Sequence, residues 1–307
     1  QYAEAYKLLY KSISIEGKDS KGGVCADLFA TSLQRYENKE ISLAEVLMDY
    51  GLAKTVIEYN LKLTPDDKFY KSANELIEHN FKDKLSLDCS QVLEVLRADY
   101  EQSKTDSYRL LRIKDAVGTV CYSQMFYEEI LKTLGDMAPN KNVSMELAEY
   151  YEKEGNVIKA ITYYRKALAL ETNNEEKAKI YYRLAYNATQ SPQLAVTYCN
   201  KAIEHNPQYA KIYLLLSDIY VRGAELCGAG EPDYRIKQKS MYWAAVDRCN
   251  LAVSIDPTLK EEADVLIQKY SKNFPTQQEL DDAELKVGTP YSINCWISTR
   301  TTVRAKE

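Results

Sequence analysis

Residues 144–168, SMELAEYYEKEGNVIKAITYYRKAL, decide the fold of this chain. Two runs with apolar residues at helical spacing stand on either side of Gly155, which suits the turn between them. Small and large residues recur where two antiparallel helices must touch, in the order Leu147, Ala148, Tyr151, Ala160, Tyr164 and Ala167. The stretch therefore predicts a closely packed helix-turn-helix unit.

The same pattern returns in two further copies. The second copy keeps Leu184, Ala185, Ala195, Ala202 and Pro207, and the third keeps Tyr213, Leu216, Tyr220, Ala245, Ala252 and Pro257. The spacing from Ala167 to Ala202 is 35 residues, close to the period of roughly 34 that tetratricopeptide repeats (TPRs) show. The spacing from Ala202 to Ala252 is 50 residues, which places an insertion at about 226–240. The copies predict an all-α chain, an α-solenoid of TPR-like helix hairpins, which is more often a binding than a catalytic architecture.

Residues 1–140 also follow a helical pattern, although the copies there are degenerate. Ser42-Leu-Ala-Glu45 is a capping box that predicts the start of a helix. Thr64-Pro65 predicts another helix start, with proline in the first helical position. Asp88 is predicted to cap a third helix. We expect residues 1–140 to form degenerate helical repeats.

The pattern changes again towards the carboxyl end. Residues 141–273 are predicted to hold the TPR repeats, the insertion and a capping helix, and residues 274–307 a C-terminal extension. In that extension, apolar residues alternate with polar ones from Tyr291 to Ile297, a period of two that predicts a strand. Residues 301–304 are the expected partner strand, so the extension should end in a short β-hairpin laid on the last helices.

Charge and hydropathy exclude two classes of function. The net charge is −5 and no basic cluster offsets it, which argues against a nucleic-acid partner. No apolar run is long enough to predict a transmembrane helix. The chain begins with Gln1 rather than Met, as expected of a secreted protein after removal of a signal peptide, or of a shortened chain.

Several C-terminal segments carry a more specific resemblance. They are Ala224–Gly228, Met241–Asp247, Phe274–Thr276, Tyr291–Ile297 and Thr301–Arg304. Together they resemble TPR proteins that Bacteroidetes-type bacteria export. The resemblance covers about residues 140–307 and implies a location in the periplasm or cell envelope, with possible attachment to an outer-membrane assembly. It implies no enzymatic activity and no ligand-binding residues.

The chain has seven cysteines, which bear on the compartment. Cys227 lies in the insertion and Cys295 in the predicted strand that should fold over it, so they are one candidate disulfide. Cys89 and Cys121 should reach the same end of a helix hairpin and are a second candidate. The alternative is a cytoplasmic protein with seven reduced, buried thiols, because spacing alone does not prove connectivity.

The residues offer little support for catalysis. The chain has two histidines, His79 and His205. His205 stands at a predicted helix end, where a cation is favourable, and His79 lacks neighbours at metal-ligand spacing. Paired acids near helix starts fit the helix dipole. We therefore predict no enzyme, no cofactor and no metal site.

The partner-binding candidates lie on the first helix of the middle repeat. They are Lys179, Tyr182, Arg183 and Tyr186, which combine aromatic area with cationic donors. Packing is the alternative role for the tyrosines, because the chain has 26 of them. The lysine and asparagine with which TPR co-chaperones grip a terminal carboxylate are replaced here by Met145 and Glu149. Trp296, opposite Cys295 on the strand, is a further candidate, with packing again the alternative.

Three hypotheses of function follow. The leading one is a noncatalytic TPR scaffold that mediates protein–protein interaction in the bacterial cell envelope. The second is a periplasmic peptide-binding chaperone that uses the concave groove. The third is a helical-repeat carbohydrate binder or enzyme, which a deep polar pocket with convergent carboxylates would favour. The first two predict protein partners.

Overall fold

The computed structural model describes residues 2–137, 140–228, 230 and 233–306. They form two compact units, Gln1–Pro139 and Asn140–Glu307. In the described part of the first unit all α-helices follow one another through short turns. They are α1 (Tyr2–Glu16), α2 (Gly22–Glu37), α3 (Leu43–Leu63), α4 (Lys68–Lys84), α5 (Cys89–Gln102), α6 (Ser107–Thr119) and α7 (Gln124–Met137).

The second unit contains further helices and the two strands. They are α8 (Lys141–Lys153), α9 (Val157–Leu170), α10 (Asn174–Asn187), α11 (Pro192–His205), α12 (Lys211–Arg222), α13 (Tyr234–Ile255), α14 (Lys260–Ser271), α15 (Gln277–Asp282), β1 (Pro290–Asn294) and β2 (Ser298–Thr302). The prediction of an all-α fold of TPR-like hairpins with a short C-terminal β-hairpin is confirmed. In the described residues, the first strand begins at Pro290.

Helix α3 is the central element of the first unit. It packs against α2, α4, α5 and α6, so apolar residues cover most of its surface. The predicted capping box is present, since Ser42 Oγ accepts from the Glu45 N–H and Glu45 returns a bond to the Ser42 N–H, each at 3.2 Å. The same motif starts α5, where Asp88 pairs with Gln91.

The predicted start of α4 at Thr64-Pro65 is wrong. The helix begins at Lys68, because Asp67 supplies a stronger cap: its side chain accepts from the N–H groups of Phe69 and Tyr70 at 2.8 and 3.1 Å. One carboxylate thereby satisfies two of the free N–H groups at the helix start, which a threonine hydroxyl does less well.

Three helix pairs form the body of the second unit, namely α8 with α9, α10 with α11, and α12 with α13. The small residues singled out in the sequence are fully buried at the contacts within the pairs, including Ala148, Ala160, Ala195 and Ala245. Tyr164 is also fully buried, and Ala263 and Tyr270 of α14 pack beneath the last pair. A side chain larger than alanine at the small positions would hold the helices apart.

The insertion in the third repeat is helical over much of its length. A short 3₁₀ turn spans Ala224–Leu226, and α13 already begins at Tyr234, so residues 234–239, expected in a loop, extend that helix instead. Gly228 and Gly230 have φ values of +71° and +84°, in the left-handed region that glycine adopts without strain. Residues 229, 231 and 232 of the insertion lie outside the described residues, as do residues 138 and 139 at the end of the predicted degenerate repeats.

The C-terminal hairpin is antiparallel and pairs Tyr291 with Thr301. Its second strand begins at Ser298, three residues earlier than the predicted 301–304. The Cys295 N–H donates to the Ile297 carbonyl at 3.0 Å, which closes a tight turn and lets pairing resume at once. The hairpin packs on α13, as predicted.

Candidate functional site

A groove runs along the first helices of the three repeats, between α8, α10 and the start of α12. Its cavity volume is about 500 Å³. It is lined by Lys141, Asn142, Met145, Glu149, Glu171, Glu176, Lys179, Ile180, Tyr182, Arg183, Tyr209 and Lys211. We call this surface the concave groove. Of the predicted partner-binding residues, Lys179, Tyr182 and Arg183 lie in its wall, whereas Tyr186 is exposed on the same helix but does not line it.

Two tyrosines form the aromatic part of the wall. The rings of Tyr182 and Tyr209 meet edge to face, with centroids 5.5 Å apart. Burial raises the pKa of both phenols, so each is neutral at physiological pH and offers a hydroxyl as donor or acceptor. Tyr182 is half-buried: part of its ring packs against Tyr209, and part remains exposed in the wall of the groove.

Arg183 is held in place by a carboxylate that the sequence analysis did not single out. Glu152 accepts hydrogen bonds from Arg183 Nη1 at 3.1 Å, Asn187 Nδ2 at 2.7 Å and the Tyr164 hydroxyl at 2.8 Å. These bonds tie α8, α9 and α10 together around one side chain. The Arg183 side chain remains 45% exposed and lines the groove. The repeat register places Glu152 on the concave face, but it does not identify the partners of Glu152, which lie 12 to 35 residues away.

The groove also holds paired charges. Lys141 Nζ lies 2.8 Å from Glu171, whose buried carboxylate also accepts from the N–H groups of Thr172 and Asn173. The bonds from Lys141 and the backbone lower the pKa of Glu171 to about 2. Lys179 pairs with Glu176 at 2.7 Å. The wall therefore presents neutralised pairs rather than one block of positive charge.

Two charged residues of the groove wall have no ion pair within the described part of the chain, and a methionine lies in the same wall. Lys211 and Glu149 make no ion pair with any residue that the structure describes. Met145 and Glu149 occupy the places where co-chaperone TPRs carry carboxylate-gripping residues, as noted from the sequence. The groove wall therefore includes an exposed lysine, an exposed carboxylate and a thioether.

Trp296 lies outside the concave groove and is half-buried. Its indole N–H donates to the Gly223 carbonyl at 2.9 Å, and its ring meets Tyr220 edge to face at 6.4 Å. A Cβ on Gly223 would also come within 3.0 Å of Pro192 and closer still to the indole. The ring thus covers the turn that follows α12. This contact is the packing role that the sequence analysis gave as the alternative to partner binding.

Both predicted cysteine pairs stand at disulfide distance. The Cα atoms of Cys227 and Cys295 are 5.2 Å apart, and those of Cys89 and Cys121 are 5.4 Å apart, within the range of disulfides. The remaining cysteines are buried and unbridged. Burial raises the pKa of the Cys25 thiol to about 12, which leaves almost no thiolate to act as a nucleophile.

The histidines have local partners. His79 Nε2 lies 3.1 Å from Asp83, one helical turn away, and His205 Nδ1 lies 3.2 Å from Asn174 Oδ1 with its ring stacked on Tyr181.

Among the described residues, no group of three or more histidines, cysteines and acids is placed to hold a metal ion. Within the same residues, every helix is too short or too polar to cross a bilayer.

Comparison with known proteins gives similarity at the level of fold. No protein-family model and no curated protein sequence matches the chain. Among solved structures, it is similar to the TPR2AB-domain:pHSP90 complex of yeast Sti1, with 16% identity and a TM-score of 0.35, over 81% of this chain and 99% of that one. It is also similar to the APC/C hetero-tetramer Cut9-Hcn1, with 12% identity and a TM-score of 0.40, over 88% of this chain and 52% of that one. The successive helix pairs described above make the second unit a helical-repeat structure.

Proposed function

We propose that this chain is a noncatalytic scaffold that holds a protein partner by binding one of its segments in the concave groove. The observation that carries the proposal is the groove itself: Tyr182 and Tyr209 lie beside Arg183, whose guanidinium is positioned by Glu152. Aromatic rings and arginine are the residue types most enriched where binding energy concentrates in protein interfaces.

The fixed position of Arg183 supports a specific contact. Its bond to Glu152 removes much of the side-chain entropy that a free arginine would lose on binding. Its remaining N–H groups can donate to a carbonyl or carboxylate of the partner. The ion pairs along the wall select for complementary charges on that partner more than they add affinity.

The chemistry of the wall suits binding rather than catalysis. Its described lining contains no serine, cysteine or histidine, so it lacks the hydroxyl–imidazole and thiol–imidazole pairs of Ser–His and Cys–His catalysis. The carboxylates that line it are Glu149, Glu171 and Glu176, and the last two are engaged by Lys141 and Lys179. A substrate would find few groups there for proton transfer.

The proposed location is the periplasm or cell envelope of a bacterium of the Bacteroidetes type, with the partner in an outer-membrane assembly. Two cysteine pairs at disulfide distance support an oxidising compartment, because cytosolic thiols are kept reduced. The resemblance of residues 140–307 to exported TPR proteins points the same way. A periplasmic peptide-binding chaperone would use the same groove, but for many unrelated segments.

Site-specific photo-crosslinking tests this proposal. A photoreactive phenylalanine derivative replaces Tyr182 in the groove or, as the control, Tyr234, which is 37% exposed at the start of α13. After irradiation of intact cells, mass spectrometry identifies the attached peptides. We expect one partner segment at position 182 and none at position 234. Many unrelated segments would favour the chaperone, and identical products at both positions would contradict groove binding.

A further inference from the structure

A second cleft lies in the same unit, beside the C-terminal hairpin. It has a volume of about 620 Å³ and is formed by α11, α12, α13 and the C-terminal hairpin. Its lining consists of Gln193, Val196, Thr197, Asn200, Ile203, Tyr213, Leu216, Tyr220, Arg248, Leu251, Trp296, Ile297, Ser298 and Thr299. Arg248 is the charged member of this lining. We call the surface the hairpin cleft.

Arg248 lacks the carboxylate that a half-buried arginine usually has. Its Nη2 donates to Thr299 Oγ1 at 3.0 Å, and its guanidinium carbon lies 5.9 Å from the centre of the Tyr220 ring. Its Nε is buried without a hydrogen-bond partner. The described residues include no acid within ion-pair distance of Arg248, and the adjacent Asp247 is engaged by Arg304 and Thr301.

This arrangement costs stability in the absence of a ligand. A partly desolvated charge without a counter-charge is unfavourable, and an unpartnered buried N–H adds to that cost. The fold nevertheless holds the guanidinium against Thr299 and the Tyr220 ring. A residue that is held at a cost to stability points to a role in binding.

The rest of the lining shows which chemical groups surround Arg248 in the cleft. Aliphatic side chains form one part of it: Val196, Ile203, Leu216, Leu251 and Ile297. The side-chain amides of Gln193 and Asn200 are exposed and make no hydrogen bond with any described residue. The cleft thus combines one cation, an apolar wall and free amide groups.

We propose that the hairpin cleft binds a small organic monocarboxylate whose apolar body lies against the aliphatic wall, while Arg248 pairs with the carboxylate. A single guanidinium matches one negative charge in a planar, two-oxygen group. A phosphate dianion would leave a charge uncompensated, since the described lining supplies one cation. The ligand is either a free acid or the terminal residue of a peptide, which share this chemistry.

The two tryptophans of the chain provide a built-in assay. Trp243 is fully buried, whereas Trp296 lines the hairpin cleft. Titration of the whole protein with N-acetyl-leucine should change the indole fluorescence, and N-acetyl-leucinamide, which lacks the charge, should not. A peptide that ends in leucine then distinguishes the two sources of the carboxylate. A site for a peptide terminus should bind the peptide with a free carboxyl terminus more tightly than it binds N-acetyl-leucine. The same peptide with an amidated terminus is the uncharged control.

Arg248→Gln is the decisive variant. Loss of the charge-assisted bonds should weaken N-acetyl-leucine binding about tenfold to a hundredfold. The melting temperature of the ligand-free variant should stay equal or rise, because an uncompensated charge is removed. A purely structural arginine would instead lower the melting temperature. Arg235→Gln is the matched control, because Arg235 is exposed and lines neither the hairpin cleft nor the concave groove, and it should leave N-acetyl-leucine binding unchanged.

Three results would overturn this inference. They are unchanged fluorescence with N-acetyl-leucine at millimolar concentration, equal binding of the acid and the amide, and equal binding by wild type and Arg248→Gln. Preference for glucuronate over N-acetyl-leucine would overturn the apolar-body assignment. None of these outcomes bears on crosslinking at Tyr182, so failure here is distinguishable from failure of the proposed scaffold function.

Discussion

Replacing Trp296 with alanine should destabilise the unit formed by residues 140–307 by about 3.5 kcal/mol. The indole loses its bond to the Gly223 carbonyl, worth about 1 kcal/mol. Removal of the half-buried ring also exposes on the order of 100 Å² of apolar surface against Tyr220 and Pro192, worth about 2.5 kcal/mol at ~25 cal/mol per Å². Trp296→Phe keeps most of the apolar contact and should cost about 1 kcal/mol.

Urea unfolding followed by circular dichroism measures these differences. Ile158→Ala is the control, because Ile158 is 81% exposed and its loss should change the free energy of unfolding by less than about 0.5 kcal/mol. The partner crosslink at position 182 should survive in folded Trp296→Ala. A loss of stability below about 1 kcal/mol together with a lost crosslink would refute the packing role and make Trp296 a partner anchor.

Three further predictions concern stability and redox state. Asp49→Asn should cost about 3–5 kcal/mol in urea unfolding, because it leaves Arg112 without its fully buried counter-ion; a loss below about 1 kcal/mol would contradict the buried pair. Thiol titration of the unfolded, unreduced protein should find three free thiols, the count left by the two pairs, whereas seven would remove both bridges and the argument for export. Glu171 has a pKa of about 2 in the folded protein and about 4.3 in the unfolded chain. Its ionised carboxylate therefore stabilises the fold above pH 4.3, and this stabilisation is lost as the pH falls towards 2. Glu171→Gln should flatten the stability profile between pH 5 and pH 2, and parallel profiles for variant and wild type would contradict the bond to Lys141.

Local features were predictable from the sequence where neighbouring residues determine them. The capping box at Ser42 depends on residues three apart, and the strand from Tyr291 depends on a period of two. The error at α4 is also local, because Thr64-Pro65 and Asp67 are competing starts and the carboxylate of Asp67 wins by bonding two N–H groups.

Long-range polar contacts were not predictable. Asp49 meets Arg112 across 63 residues, and Glu152 meets Asn187 across 35. Helical periodicity places such residues on a face but does not say which charged side chain stands opposite. The cysteine pairs are intermediate: the hairpin layout brought Cys89 near Cys121, and the folding of the tail brought Cys295 near Cys227.

The site could be predicted only in part for the same reason. The repeat register identified Lys179, Tyr182 and Arg183 as facing the groove, and the structure places them in its wall. It does not bring Tyr186 into that wall. Arg248 was missed because its significance is the lack of an acid nearby in space, which no single-sequence pattern records.

The affinity of the purified chain for the segment captured at position 182 is the most direct test of groove binding. Isothermal titration calorimetry compares wild type, Tyr182→Ala and the control Tyr234→Ala, after circular dichroism shows each to be folded. Groove binding predicts at least about tenfold weaker binding for Tyr182→Ala and wild-type affinity for Tyr234→Ala. Equal affinity of all three proteins would contradict it.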